Sequence, residues 1–333
     1  MFYNLGKNES EYKIIEPDII PEIKEQNQSK LKYLKKKGEK LECRPISRFV
    51  LKDRIILSLT NKFLTELFDP YFEKSSLAFR SAIKNENGYE VTKHHTAVDR
   101  ILDYKLQFKE RSLFVAECDM KKFYDTVNHK KCFEAFEKLL IRANIDYPDL
   151  NLAFPKKIFI SYLNSYSFYE NINQNCNNDD YWSKQLDNKG KSINGVYPWV
   201  DELLNCPIKE RVGVPQGGAL SGLIANIVLD FADKKLLEIE DLFYIRYCDD
   251  MILMHYDKSN CEKAINIYSN AIKEQCLFSH KFNNNYFVPN KNYKSNKEGI
   301  RFSKRGRNLY IHLNIVLNHF GIAKAKGLMN GVN

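Results

Sequence analysis

The chain has 333 residues, of which 44% are hydrophobic and 13% aromatic, and its 51 basic and 42 acidic residues give a net charge of +9. This length and composition exclude a disordered chain and predict one large domain or two subdomains with a sizeable core. The moderate positive excess suits a polyanionic partner without requiring one.

The first 40 residues are polar and charged, ending in LKYLKKKGEK, and predict a basic N-terminal arm. For a charge run alone, a solvated loop is the ordinary interpretation. Residues 44–68 follow, and their later part carries apolar residues at helical spacing, at Ile55, Leu59, Phe63 and Leu67. The sequence therefore predicts a long helix after the arm.

The stretch FVAECDMKKFYD, residues 114–125, places two acids around a basic and aromatic run. Residues 112–118 predict a core strand, and a helix is predicted after them from Val127, Phe133, Phe136 and Leu140. Asp119 then follows the strand's end, where its side chain can face a cleft while the sheet holds the backbone. That position suits a metal ligand. The alternative is that Asp119 or Asp125 caps the next helix, with Asp125 the better candidate.

Residues 171–206 are polar and rich in asparagine, which predicts an insertion or an extended loop. Residues 211–236, RVGVPQGGALSGLIANIVLDFADKKL, then predict a Gly/Pro loop that opens into a helix. Leu223, Ile227 and Phe231 are expected on one face of that helix. Glycines allow a ligand to approach the backbone closely, and a helix N-terminus offers unpaired N–H groups.

The stretch IRYCDDMILMHY, residues 245–256, predicts a β-hairpin formed by 242–247 and 251–256. Its tip carries Cys248, Asp249 and Asp250. Aspartate is common at turns for conformational reasons alone. Two adjacent carboxylates nevertheless repel each other, and a divalent cation relieves this repulsion. Magnesium fits best because it prefers hard oxygen ligands.

Taken in this order, the blocks resemble the palm motifs of the reverse transcriptase family, with DMKKFYD as the first, GVPQGGALSGLIAN as the second and YCDD as the third. RPISRFVLKDRI and SLAFRSAIKNENGYEVTKHHTAV resemble the family's fingers blocks, so the resemblance covers about residues 40–260. It implies an α+β right-hand polymerase with an antiparallel palm sheet packed on helices. The implied domains are the arm (1–40), fingers (41–111), palm (112–256, with the insertion at about 171–206 and motifs at 119–125, 213–226 and 247–250), and the end of the palm with a reduced thumb (257–333).

The resemblance implies RNA-directed DNA synthesis from dNTPs by two-metal phosphoryl transfer. Asp119 and Asp249 match the acids that hold two Mg²⁺ ions, for which Mn²⁺ can substitute. The backbone carbonyl of Met120 is a further expected ligand, and Asp250 is the supporting neighbour. Tyr247 and Cys248 complete the palm hairpin.

The nucleotide-binding residues are also implied by the resemblance. Tyr124 matches the aromatic gate that excludes a 2′-hydroxyl, and Phe123 precedes it. The loop against the incoming nucleotide is matched by Pro215, Gln216 and Gly217. Arg44 matches a fingers arginine that contacts triphosphate oxygens, for which a planar guanidinium is suited. Gly222, where most relatives have proline, and Cys248 depart from the family pattern without removing a ligand.

The compact form resembles the bacterial reverse transcriptases linked to phage defence, including retrons and abortive-infection enzymes. The expected partners are an RNA template, in particular a dedicated noncoding RNA, the DNA product, dNTPs, and a partner protein or a second copy of the chain. Four alternatives stay open: template-independent or protein-primed DNA synthesis, a retron or group II intron type of enzyme, an RNA polymerase, which Tyr124 disfavours, and a non-catalytic nucleic-acid-binding scaffold.

The eight cysteines show no CxxC pair and no zinc-type Cys/His spacing, so we expect reduced thiols. No signal-peptide-like apolar region opens the sequence, and no run approaches the roughly 18 apolar residues of a membrane span. We therefore predict a cytoplasmic protein with no membrane partner.

Overall fold

The computed structural model has a mixed α+β fold with antiparallel sheets and helices, which confirms the predicted class. It divides into unit 1, formed by Met1–Leu67, Lys121–Ile224 and Cys276–Phe278, and unit 2, formed by Phe68–Met120, Ala225–Gln275 and Ser279–Asn333. The structure describes residues 12–23, 29, 33, 37–81, 83–85, 88–90, 92, 94–108, 111, 113–174, 176, 181, 195–198, 200–204, 210–279, 301–302 and 307–308. The predicted division into arm, fingers, palm and reduced thumb stays a prediction.

The strands are β1 (Asp18–Ile23), β2 (Leu41–Arg48), β3 (Ile83–Asn85), β4 (Gly88–Glu90), β5 (Phe114–Cys118), β6 (Gly195–Val196), β7 (Phe243–Tyr247), β8 (Asp250–His255), β9 (Arg301–Phe302) and β10 (Arg307–Asn308). The helices are α1 (Leu51–Phe68), α2 (His94–Gln107), α3 (Phe123–Thr126), α4 (His129–Asp146), α5 (Ala153–Asn164), α6 (Asp201–Leu204), α7 (Ser221–Leu236) and α8 (Lys258–Glu274). A 3₁₀-helix (Asp69–Tyr71) follows α1, and a π-helix (Phe168–Gln174) follows α5.

A small sheet in unit 1 is built on β2. This strand pairs antiparallel with β1, with Glu22 opposite Arg44 and Ile20 opposite Ile46, and parallel with β6. Its residues alternate between buried and accessible positions, as expected for a strand that has one covered face. Arg44 therefore lies on the accessible face of β2.

The long helix predicted after the arm is α1, and its predicted apolar stripe is buried at Leu67, which is 8% exposed, but not along its whole length. Ile55 is 53% exposed and Leu59 is 37% exposed, whereas Leu57 and Leu64 are buried. The orientation follows from Asp53, which is 1% exposed and accepts hydrogen bonds from the Tyr12 hydroxyl and, at 2.8 Å, from the Ile15 amide. Because apolar residues occur around most of the helix, the buried carboxylate and its partners decide which face turns inward.

Helix α4 begins after Asn128, whose side chain accepts a hydrogen bond from the Lys131 amide at 3.0 Å. The alternative that Asp119 or Asp125 caps this helix is therefore wrong. Asp125 lies inside α3, and Asp119 directly follows β5. Asn128 has the side-chain oxygen that an N-cap requires.

The described parts of the polar segment 171–206 belong to the core of unit 1. Residues of this segment and of its surroundings form one buried apolar cluster: Ile19, Cys43, Tyr166, Phe168, Ile172, Cys176, Tyr197, Val200, Leu203 and Val212. The segment predicted as an insertion or loop thus contributes aromatic and aliphatic side chains where it is described.

Unit 2 contains an antiparallel sheet in the order β5-β8-β7. The predicted core strand is observed as Phe114–Cys118, and residue 112 lies outside the described residues. The predicted hairpin is confirmed, but Asp250, predicted in its tip, begins β8 opposite Tyr247, so the turn consists of Cys248 and Asp249. Cys248 has a φ of +61°, the left-handed conformation that two-residue hairpin turns need at their first central position.

Two further predictions concern thiols and membranes. All the cysteines that the structure describes are free thiols, six of them buried and Cys276 exposed. Over the same part of the chain, no helix combines the length and the apolar character needed to cross a bilayer.

Candidate active site

The three predicted metal-binding acids lie at one end of the unit 2 sheet. Cys118, the last residue of β5, pairs with Met251 of β8, so Asp119 follows β5 where Asp250 begins β8. Asp249 occupies the hairpin turn directly before Asp250. Strand register therefore brings together residues that are about 130 positions apart in the sequence.

These carboxylates interact electrostatically. The pKa of Asp249 is raised from 3.8 to about 6, mainly because burial disfavours its charged form, and the charges of Asp250 and Asp119 raise it further. Hydrogen bonds from the Cys248 side chain and from the backbone act in the opposite direction. The site thus accumulates negative charge in a partly buried position, which favours either protonation or a bound cation.

The donor set suits a hard divalent cation, because Asp119, Asp249 and Asp250 offer only carboxylate oxygens. Among the residues that the structure describes, however, no three or more His, Cys, Asp and Glu side chains are already grouped to hold a metal ion. The chemistry of the residues fits Mg²⁺, while a closed cage of protein ligands is not formed. This combination is typical of Mg²⁺ sites, in which water and substrate phosphates supply the remaining ligands.

The predicted nucleotide-binding loop lies in unit 1, where two hydrogen bonds connect it to α3. The Val214 amide donates to the Tyr124 carbonyl at 2.7 Å, and the Gln216 side-chain amide donates to Asp125 Oδ1 at 2.8 Å. The Ser47 amide of β2 donates to the Gln216 carbonyl at 2.8 Å. Tyr124, Pro215, Gln216 and Gly217 are therefore assembled in one part of unit 1.

The other two predicted residues of unit 1 differ in their surroundings. Phe123 is 2% exposed and its ring meets that of Tyr124 edge to face, with 5.4 Å between centroids. Arg44 is exposed on β2, two residues before Ile46, which forms a β-bridge with Gln216. Phe123 is thus a buried residue that packs against the Tyr124 ring, whereas the Arg44 guanidinium is accessible.

Gly213 and Gly218 have no room for a side chain. Gly213 has a φ of +92°, and a Cβ there would lie 2.9 Å from Phe168 Cβ. A Cβ on Gly218 would lie 1.9 Å from the Tyr162 hydroxyl oxygen. That hydroxyl also hydrogen-bonds to Ser221 Oγ at 2.7 Å, and Ser221 Oγ donates to the Pro215 carbonyl at 2.6 Å. Close packing at the two glycines and the hydrogen bonds of Ser221 therefore hold this loop in one conformation.

We expect Gly218→Ala to destabilise unit 1 by about 1–3 kcal/mol, because the methyl group must displace Tyr162 or the loop. Tyr162→Phe removes the clashing oxygen, although its Cζ would still be 2.9 Å away. The double variant should therefore recover part of the loss, which urea unfolding of both single variants and the double variant would measure. Strictly additive losses would contradict this packing argument.

His129, the first residue of α4, supports the same loop. Its Nε2 lies 2.6 Å from the Gly213 carbonyl, so this nitrogen carries a proton and donates. Burial lowers the pKa of His129 from 6.5 to about 4, and the nearby Arg211 lowers it further. In the folded protein His129 is thus neutral at pH 7.

Because the unfolded chain binds a proton at His129 below pH 6.5 and the folded chain does so only near pH 4, stability should fall as pH decreases between these values. The amide of His129→Gln can donate to the same carbonyl but does not titrate. Between pH 7 and pH 4.5 we therefore expect the free energy of unfolding to fall by about 2 kcal/mol less in this variant than in the wild type. Urea unfolding of both proteins at pH 7 and pH 4.5 tests this. An unchanged difference between the proteins at the two pH values would exclude His129 as the source.

Sequence reasoning missed three residues that support the predicted loop, namely His129, Tyr162 and Ser221, and it missed the buried Arg246 of β7. Arg246 had a visible signal, since a charged residue interrupts an otherwise apolar and aromatic strand in FYIRY. The others have no distinctive pattern, because their roles depend on partners far away in the sequence.

Comparison with known proteins gives a family match and several structural similarities. The family described as reverse transcriptase (RNA-dependent DNA polymerase) matches residues 34–282. No curated protein matches the chain. The structure of telomerase from Candida albicans in complex with a TWJ fragment of telomeric RNA is similar, with 18% identity and a TM-score of 0.40, over 76% of this chain and 36% of that chain.

Structures of telomerase from Candida tropicalis are also similar. The apo structure has 14% identity and a TM-score of 0.46, over 83% of this chain and 45% of that chain. The apo structure truncated from the C-terminal domain has 16% identity and a TM-score of 0.43, over 78% of this chain and 49% of that chain. The chain thus spans between about a third and a half of the length of these telomerases.

Proposed function

Because the chain belongs to the reverse transcriptase family, with the family match covering residues 34–282, we propose that it is an RNA-directed DNA polymerase that makes DNA from dNTPs. The observation that carries this proposal is the electrostatic coupling of Asp249 to Asp250 and Asp119 at the end of the unit 2 sheet. The charges of Asp250 and Asp119 oppose the ionisation of Asp249, a bound cation would relieve this repulsion, and enzymes of this family generally use divalent metals.

Asp119 and Asp249 would hold the metal ions, with the Met120 carbonyl as an additional ligand and Asp250 as the supporting acid. Two bound Mg²⁺ ions would activate the primer 3′-hydroxyl and neutralise the triphosphate and leaving pyrophosphate. The carboxylates must be ionised to take part. The raised pKa of Asp249, about 6, supports a loss of activity in mildly acidic solution.

In unit 1, the proposed roles concern the nucleotide. The ring of Tyr124 would face the sugar and exclude a 2′-hydroxyl, and Phe123 would buttress that ring. The loop Pro215–Gly217 would lie against the nucleotide, with Gln216 held by Asp125. The accessible guanidinium of Arg44 would contact triphosphate oxygens.

We further propose that the template is RNA, in particular a dedicated noncoding RNA, and that the enzyme acts in bacterial antiphage defence with a partner protein or as a homo-oligomer. The family match supports an RNA template, and the sequence of the product together with the accompanying nucleic acid tests the rest of this proposal. Synthesis without a template, or primed on a protein hydroxyl, would use the same acids and is distinguished by its product.

The test is to purify the protein with the nucleic acid that accompanies it from cells, add labelled dNTPs and Mg²⁺, and sequence the product. Asp249→Ala is the active-site control. Glu262→Gln is the matched control, because Glu262 is an exposed acid in α8 of the same unit that pairs only at the surface with Lys258.

We expect DNA from the wild type and from Glu262→Gln, and none from Asp249→Ala. A product complementary to the bound RNA supports templated synthesis, whereas a repeat with no complement in that RNA supports the template-independent alternative. No DNA with any supplied primer and RNA would contradict the polymerase and favour the nucleic-acid-binding scaffold.

A further inference from the structure

Arg246 is a fully buried charge in the strand that leads to the candidate active site. It lies in β7, two residues before Cys248, and its side chain has 0% exposure. Arginine is almost never fully buried unless it is paired. Its partner is Asp233 of α7, which is also 0% exposed and lies in the same unit.

All five N–H groups of the guanidinium have an acceptor. Nε and Nη2 donate to the two oxygens of Asp233 at 2.9 and 2.6 Å. The second Nη2 hydrogen goes to Ser76 Oγ at 2.8 Å, and Nη1 donates to Asn226 Oδ1 at 3.2 Å. Ser76 Oγ in turn donates to Asn226 Oδ1 at 2.9 Å.

The remaining Nη1 hydrogen donates to the Cys248 carbonyl at 2.8 Å. This carbonyl belongs to the turn of the β7-β8 hairpin and is bonded to the nitrogen of Asp249. Cys248 has a φ of +61°, a conformation that is strained for a residue other than glycine. The buried network thus reaches the strained turn at the peptide that carries Asp249.

The backbone of Arg246 is also fixed. Its amide donates to the Ser75 carbonyl at 2.8 Å, and its carbonyl accepts from the Leu77 amide at 2.9 Å. These two hydrogen bonds fix the main chain from which the Arg246 side chain extends. The position of the guanidinium relative to the turn is therefore set both by its backbone and by its side-chain partners.

A contribution to stability does not account for this arrangement, since a buried ion pair is often no more stabilising than apolar residues of the same volume. Such pairs are better suited to selecting one geometry among alternatives. We propose that Arg246, oriented by Asp233, Ser76 and Asn226, is a positioning residue that holds the Cys248–Asp249 turn in the conformation presenting Asp249 to the metal ions. This inference rests on the proposed function for its catalytic consequence, but not for its effect on the turn.

The test compares Arg246→Lys with Tyr244→Phe. Lysine keeps a positive charge for Asp233, but its three N–H groups cannot fill five acceptor positions. Tyr244 is the matched control, because it lies on the same strand and donates to the same Asp233 oxygen at 2.6 Å. Tyr244→Phe therefore removes one donor to Asp233 and leaves the Arg246 side chain, which donates to the turn carbonyl, in place.

The first readout is the rate at which Cys248 reacts with a thiol reagent in the folded protein, resolved by peptide mass spectrometry and divided by the rate of Cys118. Cys118 is 0% exposed and lies in the same sheet. We expect Arg246→Lys to raise this ratio on the order of tenfold, and Tyr244→Phe to leave it within about twofold. The second readout is Mn²⁺ binding by electron paramagnetic resonance, which only Arg246→Lys should weaken.

Equal ratios and equal Mn²⁺ affinities in the two variants would overturn the inference. If Arg246→Lys does not fold, Ser76→Ala provides the same test, because it removes one acceptor of the guanidinium while the ion pair stays; a Cys248 ratio equal to that of Tyr244→Phe again counts against the inference. Neither readout needs DNA synthesis, so an inactive wild type would contradict the proposed function alone.

Discussion

Replacing Asp249 with asparagine should abolish DNA synthesis, lowering its rate by at least about 10³-fold, while making the metal-free protein more stable at neutral pH. Asparagine has nearly the same shape as aspartate but no charge, so it removes a metal ligand without creating a cavity. Loss of activity together with gained stability is expected when an acid is retained for function although it lowers the free energy of unfolding of the protein.

The gain in stability has a defined pH dependence. The folded state raises the pKa of Asp249 from 3.8 to about 6, mainly through burial and then through Asp250 and Asp119. The folded protein therefore binds a proton more tightly than the unfolded chain, and the contribution of Asp249 to stability is lost as pH rises from about 4 to about 6. Above pH 6 the metal-free wild type bears the full penalty, which we place at about 1–2 kcal/mol after allowing for partial solvent exposure.

Urea unfolding in the presence of a chelator, at pH 4 and pH 7.5, measures this effect. Asp249→Asn should be more stable than the wild type at pH 7.5, and the difference should shrink at pH 4. Added Mg²⁺ should raise the melting temperature of the wild type, because a ligand that binds only the folded state stabilises that state. The variant lacks the Asp249 carboxylate, so its melting temperature should not change. A variant that is less stable than the wild type at both pH values would refute the coupling of these acids.

The sequence predicted those elements whose signals are local. The hairpin follows from two apolar runs on either side of Cys248, Asp249 and Asp250, and β5 followed by Asp119 from an apolar run that ends at an acid. In the structure, the pairing of Cys118 with Met251 places Asp119 beside Asp250, and the two-residue turn fixes the register of β7 and β8. The sequence blocks contain no signal for the pairing of β5 with β8, so the grouping of these acids was expected only from the resemblance to the family.

Features that depend on distant partners could not be predicted. Asp125 resembles a helix cap, but its carboxylate accepts from Gln216, 91 residues away, and Asn128 caps the helix. The buried face of α1 is decided by Asp53 and its partners Tyr12 and Ile15. In each case hydrogen bonds to a polar side chain from residues distant in the sequence override a hydrophobic or capping pattern.

The polar segment 171–206 shows the same limit in another form. Its asparagines predict a loop, yet the Tyr181 hydroxyl donates to the Ile19 carbonyl of β1, and the Tyr169 hydroxyl donates to the Leu203 carbonyl at 2.7 Å. A few aromatic residues are enough to attach a segment of polar composition to a core, because each combines a large buried area with a polar group that needs a partner.

The second large effect is expected for Tyr124→Ala, which should raise the kcat/KM for rNTPs relative to dNTPs by about 10²-fold. The structure makes this experiment selective. The backbone carbonyl of Tyr124 supports the nucleotide-binding loop, because it accepts from the Val214 amide at 2.7 Å. Removing the ring keeps this backbone hydrogen bond, and urea unfolding of the variant separates an effect on sugar selection from an effect on folding.

Single-nucleotide incorporation with paired dNTP and rNTP substrates measures the ratio, and Tyr124→Phe is the matched control, because it keeps the ring and removes only the hydroxyl. We expect Tyr124→Phe to discriminate as the wild type does, since the bulk of the ring excludes the 2′-hydroxyl. If Tyr124→Ala still makes DNA and rejects rNTPs as strongly as the wild type, Tyr124 is not the gate. The ring would then be a packing partner of Phe123, and sugar selection would have to be assigned to another residue near the nucleotide.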